Sequence, residues 1–201
     1  MNAQHSSASA EWYTPREYVE AARGVLGTID LDPASCALAN ETVRATRFVS
    51  AAEDGLSCHW HGSVFLNPPG GVDERRRSMA GVFWSKLMEE CAALRVSHAI
   101  YLGFSLEMLS STQRPGQFSV ADFTICIPDK RIRFVSPSGK KNSPTHANVI
   151  AYVPATIDRS ELFAMRFAKF GKVLVQQAPT LARLAGTHLD PRQQSLFAGA
   201  E

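Results

Sequence analysis

Ser63-Val64-Phe65-Leu66-Asn67-Pro68-Pro69-Gly70 is the stretch on which the fold turns. A short apolar run meets Asn, two prolines and Gly, residue types suited to ending a strand abruptly. Downstream, Met79 to Leu94 has helical period, with Phe83, Leu87, Cys91 and Leu94 on one face. His98 to Phe104 then reads as a buried strand. Strand, turn, helix, strand is the repeating unit of an α/β domain. Upstream, Thr14-Pro15-Arg16-Glu17 predicts a helix start, with Thr14 as cap, Pro15 at the first helical position and Glu17 closing a capping box. Tyr18, Ala22, Val25 and Leu26 form its apolar stripe, and Gly27 ends it. Thr28 to Asp32, stopped by Pro33, reads as a strand. So do Phe123 to Ile127, Val149 to Val153 and Lys172 to Gln176. Asp158-Arg159-Ser160-Glu161 reads as a second capping box, opening a helix with Phe163, Phe167 and Phe170 inward. The expectation is one α/β domain over residues 11–178, its sheet mostly parallel and flanked by helices. Residues 1–10 are expected as a disordered tail and 179–201 as a partly ordered one.

Composition narrows the class. The chain has 201 residues, 45% apolar and 20% charged, with a formal charge of +2. These values exclude fibrous and mostly disordered chains and a strongly basic coating protein, while leaving room for local basic patches. No apolar stretch approaches the ~20 residues of a membrane span. Met1 to Ala10 is polar, unlike a secretory signal. The expected location is therefore cytoplasmic, with no membrane partner. Cys36, Cys58, Cys91 and Cys126 are widely spaced and read as reduced, mostly buried residues. Cys58-His59-Trp60-His61 lacks a second ligand pair, so no metal is expected.

In an open α/β sheet, ligands sit beyond the carboxyl ends of the strands, where Asn67-Pro68-Pro69 falls. The prolines fix φ and carry no N–H, so their carbonyls are acceptors held in set directions. Asn67 adds a side-chain carbonyl. Two such acceptors suit an amino group with two hydrogens. An exocyclic amine on a purine is a poor nucleophile because its lone pair is delocalised. Accepting from both hydrogens favours a more tetrahedral nitrogen and offsets the charge it gains on attack. The plainer role is a tight strand-ending turn.

Several stretches together resemble the phage-type DNA adenine methyltransferases. They are Glu11-Trp12-Tyr13-Thr14-Pro15, Asp30-Leu31-Asp32-Pro33-Ala34-Ser35, Asn40, Glu53-Asp54-Gly55-Leu56, Trp60 with Gly62, Asn67-Pro68-Pro69, and Arg131-Ile132-Arg133-Phe134. The resemblance runs from about Glu11 to Val153 and rests on their order and spacing. It implies a Rossmann-like methyltransferase fold, S-adenosylmethionine as cofactor, and DNA as substrate in a bacterial host cell, as in restriction-modification or phage DNA methylation. Trp12, Tyr13, Thr14 and Pro15 would wrap the methionine end of the cofactor. Asp32, with Pro33 after it, would accept from ribose hydroxyls. Asp54 would accept from the cofactor's adenine amine, with Leu56 packed near that ring. Asn67, Pro68 and Pro69 would hold the target amine. Asp32 is equally suited to capping a helix, Asp54-Gly55 to a simple turn, and Trp12 and Tyr13 to a hydrophobic staple.

The chain departs from that pattern in three ways. The family's aromatic after the prolines, which stacks on the extruded base, is Gly70 here; Phe104 or Trp84 are candidate substitutes. There is no G-x-G-x-x-G loop. Val72 to Arg77 inserts an acidic-then-basic run directly after the motif. Two basic patches suit phosphate contact. One is Arg75-Arg76-Arg77; the other is Lys130, Arg131, Arg133, Lys140 and Lys141, in an expected hairpin with a basic tip. Gln193-Gln194-Ser195-Leu196-Phe197 is similar to peptides that dock on bacterial sliding clamps, with Gln193, Leu196 and Phe197 as anchors. The alternatives are a weakly active or inactive DNA-binding homologue, and an amino-methyltransferase acting on cytosine, RNA or a protein amide.

Overall fold

A computed structural model describes residues 12–136, 141–142 and 146–177. The two expected tails, Lys140, Gln193, Leu196 and Phe197 lie outside these residues. The elements in chain order are α1 (Arg16–Leu26), β1 (Leu31–Asp32), α2 (Ala37–Val43), β2 (Arg47–Phe48), β3 (Gly62–Leu66), α3 (Met79–Ala92), β4 (Val96–Gly103) and α4 (Met108–Ser111). A 3-10 turn at Val120–Asp122 follows, then β5 (Thr124–Pro128), β6 (Phe134–Val135), β7 (Lys141–Asn142), β8 (Val149–Pro154), α5 (Ser160–Phe167) and β9 (Gly171–Leu174).

Seven strands form one sheet in the order β2-β1-β3-β4-β8-β5-β9, and β6 pairs with β7 in a separate hairpin. β2, β1, β3 and β4 are parallel neighbours. β8 runs antiparallel to β4 and to β5, and β9 antiparallel to β5. β8 and β9 are therefore reversed relative to the other strands. The sheet is more mixed than the apolar runs predict, because the connection from β5 to β8 contains a hairpin instead of a crossover helix. The architecture is α/β, with helices on both faces, and is compatible with a Rossmann-like fold without being particular to it.

Alternation along the central strands divides two cores. Val64, Leu66, Ala99, Tyr101, Ala151 and Val153 face α3, where Phe83, Trp84, Leu87 and Cys91 pack. Phe65, Ile100, Leu102, Ile150 and Tyr152 face α1 and α5, where Tyr18, Val25, Phe163 and Phe167 pack. A strand covered on both faces has no polar side to display, so these strands read as continuous apolar runs. Among the described residues, no helix is long and apolar enough to cross a membrane.

Several local expectations change. Thr14 does not cap α1; it is buried, and Pro15 takes the N-cap with no side-chain cap bond. The proline disfavours helical backbone in the residue before it, so the helix starts later. Gly27 does end α1, at φ 84°, where glycine avoids the left-handed penalty. The second capping box is also absent. Asp158 Oδ1 accepts from the Ser160 N–H at 2.8 Å, while the Arg159 N–H donates to Tyr152 Oη at 2.8 Å. Leu94 leaves the buried face: α3 stops at Ala92, and Leu94 sits at φ 56° with 63% exposure. Phe163, Phe167 and Phe170 are buried as expected.

Candidate active site at the carboxyl ends of the strands

From β1 the chain passes to β2 on one side, then crosses back to β3 on the other. The strand order therefore reverses between β1 and β3, and ligand crevices form outside the carboxyl ends at such a reversal. Asp32 ends β1, and Asn67 follows the last residue of β3. The topology brings these two sequence features to neighbouring strand ends.

Asp32 is 3% exposed. Its Oδ1 accepts from the Ala34 N–H at 3.3 Å, and the Ser35 hydroxyl lies beside the carboxyl without a well-aligned bond. Burial pushes its pKa up to about 7, opposed by Ser35 and Ala34. Burial outweighs these two groups at the carboxyl. Pro33 is buried, and the backbone of Gly55 lies against its carbonyl. A Cβ on Gly55 would meet Pro33 O at 1.9 Å, so only glycine fits.

The turn holding Asp54 and Leu56 is thereby fixed beside the β1 end. Asp54 is exposed, at φ 55°, and its Oδ1 accepts from the Leu56 N–H at 3.0 Å. Buried Trp60 secures the turn from below, donating from Nε1 to Gly55 O at 2.7 Å. Leu56 is half-buried.

Residues 12–15 lie across the same corner. Asn67 Nδ2 donates to Trp12 O at 3.4 Å. A carbonyl only accepts, so this bond orients the amide, and Asn67 Oδ1 is the atom left to accept from another group. Tyr13 pairs with Val135 of the hairpin through bonds of 2.8 and 3.0 Å, and its Oη accepts from Cys36 Sγ at 3.5 Å. Thr14 is buried; Trp12, Tyr13 and Pro15 are half-buried. Of the turn itself, Asn67 is half-buried, Pro68 buried, and Pro69 and Gly70 exposed. A Cβ on Gly70 would meet nothing within 4 Å.

Trp84 is not available to replace the missing ring. It is fully buried, donates to Phe118 O at 2.9 Å, and packs edge-on against Tyr101 and Phe123. Phe104 is half-buried and follows the end of β4, at the same rim as Asn67. Arg75, Arg76, Arg131 and Arg133 are exposed. Lys141 lies in β7, which pairs with β6 as the expected hairpin.

Sequence reasoning missed Asn148. Its Oδ1 accepts from the Ile132 N–H at 3.1 Å and its Nδ2 donates to Gly103 O at 3.4 Å, tying the hairpin to the end of β4. A buried Asn immediately before an apolar strand was the available signal.

His59 Nδ1 lies 3.4 Å from Glu90 Oε1. No cluster of three or more His, Cys, Asp or Glu side chains able to hold a metal occurs among the described residues. Surface clefts are lined by Gln113, Arg114, Gln117 and Asp122, and by Leu56, Arg77, Lys86 and Arg114; Asp32 and Asn67 line neither. No protein-family model, no curated protein and no solved structure matches the chain.

Proposed function

We propose that the chain is an S-adenosylmethionine-dependent DNA methyltransferase acting on the exocyclic amino group of adenine. The observation that carries this reading is the adjacency of Asp32 and Asn67-Pro68 at neighbouring strand ends, where the strand order reverses. Asp32 fits a ligand rich in hydroxyl groups. A ribose diol donating to it would stabilise the carboxylate that burial disfavours. Asp54, in the turn held against Pro33, and residues 12–15, which Asn67 contacts, would hold the rest of the cofactor, while Leu56 lines the cleft with Arg77 and Lys86.

When bound, S-adenosylmethionine supplies an electrophilic methyl group on a sulfonium. The chain's own work is positioning. Asn67 Oδ1 and the Pro68 carbonyl would accept from the two amino hydrogens of adenine, drawing the nitrogen lone pair out of conjugation and offsetting the charge it gains. Holding the amine in line supplies much of the remaining rate. The base has to leave the duplex first, and Arg75, Arg76, Arg131 and Arg133 would hold the phosphate backbone meanwhile.

One observation favours a second reading, a DNA-binding homologue with weak transfer. Gly70 offers no ring to the extruded base, a stack worth about 1–3 kcal/mol.

Transfer of a labelled methyl group to adenine-containing DNA tests both. The first reading expects N6-methyladenine in the product. Asn67→Ala should lower transfer by on the order of 100-fold while leaving cofactor affinity nearly intact, since its bond to Trp12 is long. Transfer that survives this change rules out the catalytic role of Asn67. Cofactor binding without transfer by the native chain supports the second reading.

A further inference from the structure

Residues 71–78 form a cross-braced knob directly after the Asn67 corner. Val72 and Ser78 pair as an antiparallel bridge, and the Met79 N–H donates to Gly71 O at 3.0 Å. Within it, the Asp73 N–H donates to Arg77 O at 2.9 Å, and the Arg76 N–H donates to Asp73 O at 2.9 Å. Asp73 Oδ1 accepts from the Arg77 N–H and Oδ2 from Arg77 Nε, both at 2.7 Å. Arg77, itself exposed, is thus taken up in bracing the knob, with Arg75 and Arg76 exposed beside it. Arg76 sits at φ 60°, which turns the tip sharply.

Val72 lies at the base of the knob, five residues after Asn67, and is 64% exposed. A single exposed apolar side chain needs no explanation in itself. This one is held on a braced turn, with two exposed arginines at its tip and two glycines before it. A Cβ on Gly70 or Gly71 would meet nothing within 4 Å, so the side of the knob facing the Asn67 turn is open to a large ligand.

Extruding a base leaves a gap in the stack, and proteins that distort duplexes fill such gaps with apolar side chains. Building on the methyltransferase reading, we propose that the 71–78 knob is a duplex-opening wedge. Val72 fills the stack position vacated by the extruded adenine, and Arg75 and Arg76 hold the flanking phosphates.

The full chain, Val72→Ala and Val72→Leu are compared on one target sequence as a paired duplex and as a single strand. Two readouts are taken on separate copies of that sequence: methyl transfer with adenine at the target position, and the fluorescence of 2-aminopurine in place of that adenine, which brightens when unstacked. Val72→Ala should lower the duplex-to-single-strand ratio of transfer by about tenfold and weaken the brightening on duplex. Val72→Leu should preserve both. A Val72→Ala protein matching the native chain in ratio and brightening overturns the wedge. Brightening that depends on Val72, with no transfer to any DNA, supports the wedge and removes the methyltransferase reading instead.

Discussion

At the scale of single residues, Asp32 carries the sharpest tension between stability and its proposed role. Its carboxyl is buried, and desolvation raises its pKa from 3.8 to about 7. A raised acid binds its proton more tightly when folded than when unfolded. Below the unfolded value both states are protonated and nothing is lost. Stability then falls as pH climbs from about 4 to about 7 and levels off above that, by at most about 4 kcal/mol. Asp32→Asn is neutral throughout and keeps an acceptor for the Ala34 N–H. It should melt higher than the native chain at pH 8 and match it at pH 4. The difference between the two melting profiles isolates Asp32 from Glu90 and His98, whose pKa values are lowered instead. If the carboxylate holds ribose hydroxyls, the same variant loses cofactor affinity by tenfold or more, on the order of two charge-assisted hydrogen bonds. Higher stability with unchanged cofactor binding would separate Asp32 from the ligand.

At the scale of elements, what the sequence made legible follows from period. α1, α3 and α5 were readable because each lays aromatic and aliphatic side chains on one stripe. β3, β4 and β8 were readable as unbroken apolar runs because helices cover both faces. α2, β2 and α4 were not, being short and nearly devoid of periodic burial. Asn67 stood out in sequence because it closes an apolar strand with two prolines behind it, and Asp32 through the resemblance, whereas Asn148 did not, since its role is set by a hairpin and a strand end distant in sequence. Glu90 was hidden likewise. On the last turns of α3 it is fully buried, and its carboxylate accepts from Arg95 Nε, from Lys86 Nζ at 2.6 Å and from His59. Those donors hold its pKa down to about 2 against the opposing effect of burial. Glu90 thereby ties α3 to the approach to β4 and to the loop that carries Trp60. Glu90→Gln should lower stability by on the order of 2 kcal/mol, less than a sealed pair would lose because Arg95 and Lys86 stay partly exposed. Chemical denaturation at neutral pH measures this, and a loss below about 0.5 kcal/mol would mean the network is close to neutral.

At the scale of the whole molecule, the sheet gathers the candidate site residues at one end. β1, β3, β4 and β5 point the same way, so Asp32, Asn67, Phe104 and the hairpin after β5 share a rim. Tyr13 and Asn148 fasten that hairpin to the rim, carrying exposed Arg131 and Arg133 with it. A net charge of +2 gives little long-range field, so on the proposed function attraction to DNA would come from local cations such as these and Arg75 and Arg76. Each phosphate contact displaces counterions and adds about 0.9 to the slope of log affinity against log salt. Replacing Arg131 and Arg133 together with Ala should therefore flatten that slope by about 2, and weaken every duplex sequence alike, since phosphate contacts carry no sequence information. Fluorescence anisotropy with labelled duplexes over a salt series reads both effects. The two side chains are exposed, so the fold should be unaffected and the melting temperature unchanged. An unaltered slope would remove these arginines from the proposed DNA contact, whereas a loss confined to one sequence would make them readers of bases.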